Sequence, residues 1–508
     1  MKQTRLAAVV VAMLLVQGCG GGGSSSGPGG PSTSTPPASG ASVDRSGLTI
    51  GTISGFGSII VNGVRFETES ATILDDDDAI DETRLAVGDV VVVDGTINDD
   101  GTTGVADRVL FDAEAEGPIS MLDLAAGELV VLGRTVRTDR ATVFDDEISP
   151  RSLDGLAIGD RIEVSGLLAE GGSVLATRIE RSDDDEFEVK GFVTDLDAAA
   201  ATFRIGAQTV AFDAATLLDF GAEGLADDQF VEVRADAIDG DVLRAVAIEL
   251  EEGLPGFDDD LGDGEREFEV EGVITAVSGE LVSIGTLEIR IAEDADLDEG
   301  DRADLVVGAR VELEGEVGAD GELVANEVDV RDQVDSELEG AIVEIDRDAE
   351  TFRLLGITVQ VSDRTQFEDD SDLGVRRFSL ADLVVGDFVE VRGALGDGTL
   401  AAARVERDDV DDSGDGSDDG SGDDSGSDQD AAIEIEGPLE ALDSNTVSVR
   451  GLTFAIDAGT EFEIADESVA LETFLDAVVP GDPVEVDGQP LDDGSLLATK
   501  VELETESD

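Results

Sequence analysis

The sequence predicts an all-β protein: a tandem array of small five-stranded, OB-like β-barrels, each with a short helical turn between its third and fourth strands. Three observations predict it. One cadence, typified by "LVVGDFVEVRGALGDGTLAAARVE" at Leu383, also starts at Leu85, Leu156, Leu225, Leu305 and Val478. The copies lie at intervals of about 70 to 95 residues, too long for a solenoid unit and suited to a whole small domain. Within each copy "VEV" alternates apolar and acidic residues with period two, and a Gly-rich or Asp-Gly turn leads into a second alternating run, which is the pattern of a β-hairpin. Upstream of each hairpin stand three further strand-like runs, as in "FEVEGVITAVSG", "ELVSIG" and "LEIRIA" from Phe268. Three strands, a short helix and two more strands is the chain order of an OB-type barrel, although another closure of five strands would fit the same order.

The chain opens on Lys2 and Arg5 ahead of an apolar run from Leu6 to Val16, too short to span a bilayer and readable as a secretory signal over 1–18. The run ends in Val16-Gln17-Gly18-Cys19, which resembles the bacterial lipobox. That resemblance implies cleavage before Cys19, diacylation of its sulfur and acylation of its new amine. Gly20 follows where a retained inner-membrane lipoprotein often carries Asp, so the expectation is an outer-membrane lipoprotein, facing the periplasm or the cell surface. Residues 19–46 are rich in Gly, Ser and Pro and predict a flexible tether.

Six repeats follow, over 47–112, 115–182, 186–252, 266–332, 336–407 and 431–504. Before the hairpin of the fifth, Ser379 and Asp382 have the spacing of a cap pair, with Gly386 as a stop. In the second, Ser149-Pro150 predicts a cap and a first helical residue. Between the fifth and sixth repeats, 408–430 is an acidic, Gly/Ser-rich linker predicted to be solvated and to be nicked first by proteases.

These pieces resemble bacterial lipoproteins that carry tandem copies of a domain of unknown function, the DUF5666 family. The matching residues are the openings Gly51-Thr52-Ile53 and Gly272-Val273-Ile274, the central "VNGVRF" and "LLGITV", and the closing "VGDFVEVRG…DGTLAAARVE". The likeness runs from Leu48 to Glu502, with the third repeat departing most: Asp227-Asp228 replaces Gly-Asp, and Ala235 replaces the glycine after "VEV". It implies the fold and carries no activity or ligand with it.

Composition narrows the chemistry. Of 508 residues, 120 are Asp or Glu against 32 Lys or Arg, a formal net charge of −88. Such a field repels phosphate backbones, so nucleic acid is not an expected partner. Histidine, tryptophan and tyrosine are absent and Cys19 is the only cysteine, which excludes Ser-His and Cys-His nucleophile pairs, His or Cys zinc sites and disulfides. Lysine occurs only at Lys2, Lys190 and Lys500. This acidity predicts a halophilic protein, because the Debye length falls from roughly 10 Å at 0.1 M salt to about 3 Å at 1 M and screens the self-repulsion.

Calcium is the one cofactor with a sequence signal. Asp411, Ser413, Asp415 and Asp419 place oxygens on alternate positions around Gly416 and Gly420, like the first half of an EF-hand loop, but the bidentate glutamate at position twelve is missing. Asp75 to Asp78 forms another acidic run, more readily a solvated loop than a cation site. Arg108, Arg178, Arg404 and Lys500 recur at one place in the closing strand, where a ladder against the "VEV" glutamates is expected. Phe66, Phe203, Phe352 and Phe454 fall on alternating strands and are assigned to the cores rather than to stacking platforms. The sequence therefore predicts a non-catalytic, lipid-anchored cell-envelope protein, an extended structural, adhesive or interaction array. Its partners would be the membrane through Cys19, a protein or envelope polymer, and cations. The alternative is a calcium-responsive or small-ligand-binding envelope lipoprotein.

Overall fold

The computed structural model describes residues 45–504, apart from 76–77, 183–186, 213–214, 219, 221–223, 252–265, 300–301, 319–320, 372, 397, 409–431, 465–466 and 492–494. The described chain from Val43 onward forms one compact unit. It is all-β, and among the described residues its single α-helix is Leu471–Ala477.

Six closed barrels repeat one topology, as the sequence predicts. In barrel 1 the first strand (Arg45–Phe56) pairs antiparallel with the second (Ile59–Val61), which pairs antiparallel with the third (Val64–Glu67). The third runs parallel to the fifth (Thr103–Phe111), the fifth antiparallel to the fourth (Val90–Ile97), and the fourth closes antiparallel onto the first. This is the OB closure, which leaves the ring itself without an open edge. Period-two alternation turns one side of each strand inward: Val91 and Val93 of the fourth strand meet Val109 and Phe111 of the fifth in the barrel 1 core. Phe66, Phe203, Phe352 and Phe454 are all buried in their cores, as expected.

The recurrent cadence has two structural causes. Its Gly-Asp dipeptide makes the turn that feeds the fourth strand. Gly88, Gly159, Gly308, Gly386 and Gly481 take φ between 92° and 102°, where a side chain is strained. The aspartate then clasps the turn, as Asp89 accepts from Ala86 N at 2.7 Å and Asp387 from Val384 N at 2.9 Å. The turn also grips the middle of the first strand through two backbone bonds, as in Gly88 N to Ile53 O and Ile53 N to Asp89 O. In barrel 3, Asp228 adopts the positive φ and Gln229 supplies the clasp to Ala226 N at 2.7 Å, so the substituted turn is still made.

The glycine after "VEV" marks a β-bulge where the fourth strand crosses the fifth, with register shifts at Asp94/Gly95, Ser165/Gly166, Glu314/Gly315, Arg392/Gly393 and Asp487/Gly488. A Cβ at Gly315 would lie 1.9 Å from Val324 O, and one at Gly393 2.1 Å from Ala401 O. Barrel 3 carries Ala235 there and needs two irregularities, at Arg234/Ala235 and Ala235/Ala237, where the others need one.

The helical turn before the fourth strand varies. It is a 3-10 turn at Glu82–Arg84 and Leu153–Gly155, and in barrel 6 the α-helix, whose Phe474 is fully buried in the core. The sequence placed its start in barrel 2 at Ser149 and Pro150. Instead Ser152 N bonds to Pro150 O at 2.8 Å, a tight bend that delays helical geometry until Leu153. In barrel 5 the expected pair forms, Ser379 Oγ donating to Asp382 at 2.9 Å, but it closes a single turn because Leu383 is at once drawn into the core.

The barrels dock in three pairs through their first strands. Barrels 2 and 3 join antiparallel at Ala115↔Val189, and barrels 5 and 6 at Leu338↔Ile433. Barrel 1 instead joins barrel 4, in parallel, with Leu48↔Phe268 and Ile50↔Val270 in register. One apolar core runs through barrels 2 and 3, and another through 5 and 6.

Candidate functional site at the barrel junctions

In a chain with so few cations, five arginines stand where barrels meet. Arg140, after the third strand of barrel 2, reaches into barrel 6 and bonds Glu434 and, at 2.8 Å, Glu485. Arg151 of barrel 2 pairs with Asp370 and Glu406 of barrel 5, and with Asp408 at 3.4 Å. Arg364 of barrel 5 pairs with Glu312 at 2.9 Å and with Asp329, both on barrel 4. Arg376 of barrel 5 donates to Glu82 O at 2.7 Å and Leu85 O at 2.8 Å in barrel 1, and its guanidinium lies 3.9 Å from the Phe56 ring centroid. Arg178 of barrel 2 donates to Val87 O of barrel 1 at 3.3 Å. Exposed ion pairs contribute little, but Arg140, Arg151, Arg178 and Arg364 are largely buried, whereas the more exposed Arg376 is held by two carbonyls and a ring. Nothing in the sequence marked Arg140, Arg151, Arg364 or Arg376; the one available signal was that arginine is scarce and sits in the loops flanking the helical turn.

The expected lipidation residue Cys19 and the calcium ligands Asp411, Ser413, Asp415 and Asp419 lie outside the described residues. Of the Asp75 to Asp78 run, Asp75 and Asp78 face each other across a short antiparallel pairing. The closing-strand cations pair differently from the expected ladder. Lys500 does meet a "VEV" glutamate, Glu485, at 3.1 Å. Arg178 instead bonds Asp145 at 2.8 Å and Glu180 at 3.1 Å, and Arg404 bonds Glu368 at 2.7 Å and Glu406. The cause is a short extra strand, Val143–Phe144 or Gln366–Asp369, that lies parallel to the fifth strand and presents its own acids.

Among the described residues, four carboxylate triads have oxygens within 4.8 Å of one another, close enough for a metal. Each already adjoins a side-chain cation. Asp112, Glu188 and Glu232 adjoin Lys190, which pairs with Asp112; burial opposes the Lys190 charge, but Asp112, Glu114 and Glu232 outweigh it and hold its pKa well above the usual lysine value. Arg151 enters the group Asp370, Glu406 and Asp408, Arg140 and Lys500 the group Glu434, Glu485 and Asp487, and Lys500 the group Glu485, Glu502 and Glu504.

Cavities open at the junctions, among them two of contrasting lining. One, of about 160 Å³, lies among barrels 1 to 4, with apolar walls that include Leu167, Phe230 and Ile284 and a charged end of Asp112, Glu114 and Lys190. The other, of about 300 Å³, lies among barrels 1, 4 and 5 and is lined by carboxylates with Arg364 on its rim. On the barrel 4 strand between barrels 1 and 4, Glu271 and Glu269 titrate in opposite directions. Burial pushes Glu271 up, but Arg310, Arg331 and the Thr52 N–H (2.9 Å) outweigh it and hold the carboxyl down to about 2. Glu269 is pushed well above the usual range, first by burial and then by Glu312 and Glu314.

A family model described as a domain of unknown function (DUF5666) matches residues 49–109, 116–180, 190–249, 271–329, 339–406 and 436–502. Among solved structures, drosophila Unr CSD456 is similar at 17% identity over 43% of this chain and 96% of its own, with a TM-score of 0.11, too slight a likeness to bear on the fold or its use. No curated protein matches the chain.

Proposed function

The chain belongs to the DUF5666 family, domains of unknown function, six times over, and from that premise we propose a non-catalytic, lipid-anchored protein of the cell envelope whose barrels act together as one structural and interaction body. The observation that carries this reading is the placement of Arg140, Arg151 and Arg376 as ties between barrels distant in sequence, with Arg364 tying the consecutive barrels 4 and 5. The cations serve assembly, and the acids left outward give the body a strongly negative exterior. The anchor rests on the basic, apolar leader, on Cys19 at its end and on the Gly/Ser/Pro stretch that follows. Expressed in a bacterial host with labelled palmitate, the chain should take up label at Cys19 and sediment with outer membranes. Label on a Cys19→Ser variant, or an unlabelled native chain, would sink the anchor.

The acidity is proposed as adaptation to brine. Melting temperature should climb between about 20 mM and 2 M salt as screening relieves repulsion, and a flat response would remove that reading. A second function, small-ligand binding, is favoured by the cavity that joins apolar walls to a charged end where Asp112, Glu114, Glu251 and Glu271 outnumber Lys190. An amphiphile with a cationic head fits that chemistry, and a thermal-shift screen of alkylamines against Glu114→Gln tests it. Calcium on Asp411, Ser413, Asp415 and Asp419 is tested separately, by isothermal titration of the 408–430 peptide.

A further inference from the structure

The outward side of barrel 4 sets acid against acid. Glu269 stands opposite Glu314, Glu271 opposite Glu312, Glu314 opposite Glu327 and Glu312 opposite Asp329. Like charges directly across a sheet destabilise it unless something intervenes. For part of this grid arginines intervene: Arg310 on Glu271 at 2.8 Å, Arg331 and Arg364 on Glu312, and Arg364 on one oxygen of Asp329.

Two groups are left over, and both line the cavity of about 300 Å³ shared with barrels 1 and 5. Glu269 is only 7% exposed, stands across the sheet from Glu314 and has its carboxyl beside that of Glu312. Asp329 is 4% exposed, and its Oδ1 has no hydrogen-bond partner. A buried carboxylate oxygen without a donor is costly, and acids crowded around it in one cavity call for a positive charge. In the four compact acid triads a lysine or arginine is already at hand; here Arg364 is fully engaged with Glu312 and Asp329 Oδ2.

We propose that this cavity binds a partly hydrated divalent cation of the calcium and magnesium class, with Glu269 and the free oxygen of Asp329 as its protein ligands. The available donors are oxygens, the carboxylates together with the amides of Asn62 and Asn98, and oxygen donors select hard cations. A water molecule occupies about 30 Å³ of liquid, so the space admits a cation that keeps part of its hydration shell. The ion would neutralise the acid face of barrel 4 where barrels 1 and 5 close over it, and the inference holds whether or not Cys19 carries lipid.

The test uses the full chain, stripped with chelator and melted at constant ionic strength with calcium chloride, magnesium chloride or sodium chloride. The melting temperature should rise with a divalent salt and not with sodium. Glu269→Gln should melt at or above the metal-free parent, because it relieves the contact of acid with acid, and its divalent affinity should fall about tenfold or more. If Glu269→Gln does not fold, Asp329→Asn reads the same loss. A chain lacking 409–430 should keep the response. No divalent response in the parent, an undiminished response in the folded variant, or a response that disappears with 409–430 would each overturn the site. Failure of palmitate labelling would leave all of these outcomes untouched.

Discussion

Barrels 5 and 6 share one apolar core, whereas barrels 1 and 4 each keep their own. The fifth and sixth are consecutive copies that meet antiparallel, so Leu338 and Ile433 fall side by side and the two interiors run together. The first and fourth meet in parallel over Gly47–Ile50 and Glu267–Val270, and parallel strands need a long connection, here supplied by the whole of barrels 2 and 3. Polar ties accompany that backbone ladder: Thr52 N to Glu271 at 2.9 Å and Arg266 to Asp94 at 3.6 Å. The difference teaches that one domain sequence, repeated, yields two kinds of joint. Fusion of cores couples neighbours strongly, and a polar seam holds distant copies more loosely.

The largest expected effect breaks this comparison with one substitution on each side. Gly393→Val and Gly315→Val both force a side chain against a carbonyl, at about 3 kcal/mol or more. In calorimetry Gly393→Val should take barrels 5 and 6 out of the main transition together, while Gly315→Val should release barrel 4 and leave barrel 1 folded. Equal losses in the two variants would erase the distinction. Next, Leu338→Ala, fully buried in the shared core, should cost about 2–5 kcal/mol. Hydrogen exchange should then quicken at Ile433 and Ile435 in the adjoining barrel as well as in barrel 5.

The titration of the molecule sharpens the comparison further. Burial first of all raises Asp89 and Glu390 to about 7, so the folded state holds more protons than the unfolded chain between the ordinary carboxylate range and neutrality. Stability should therefore increase as pH falls from about 8 toward 5. Glu271 and Asp369, held down to about 2, contribute stability that is present above their unfolded values and is lost as pH drops through the folded ones. A pH series of thermal melts should thus peak on the acid side of neutrality, and Glu271→Gln should remove part of the low-pH fall. The smallest effect belongs to Arg364, whose side chain is 36% exposed: its replacement by Lys, which keeps the charge beside the buried acids but loses the two-pronged contact, should cost about 1 kcal/mol, and double-mutant cycles with Glu312→Gln should localise that loss to the contact between barrels 4 and 5.

Much of the barrel was legible because its signals repeat. "VEV" gives the alternation, Gly-Asp the clasped turn, and the following glycine the bulge, so Gly393 and Gly315 announced themselves by recurrence. The start of the turn at Leu153 was not legible, since Ser149-Pro150 has the composition of a cap but bends the chain first. Which barrel meets which was hidden for a different reason. Contacts such as Arg151 with Asp370 and Glu406 occur once each and have no period, and among 120 acids no single partner stands out. Glu269 shows the same limit: its alternation matches that of Glu271, and only the arginines that reach one and miss the other separate them.

The union of barrels 5 and 6 bears on protein engineering. Asp408 ends the last strand of one and Ala432 opens the first strand of the other, both on a single fused body. A cut between them would sever the polypeptide without parting the two lobes, and a foreign module could be spliced in with little thermodynamic penalty. That acidic segment is a natural port for cargo.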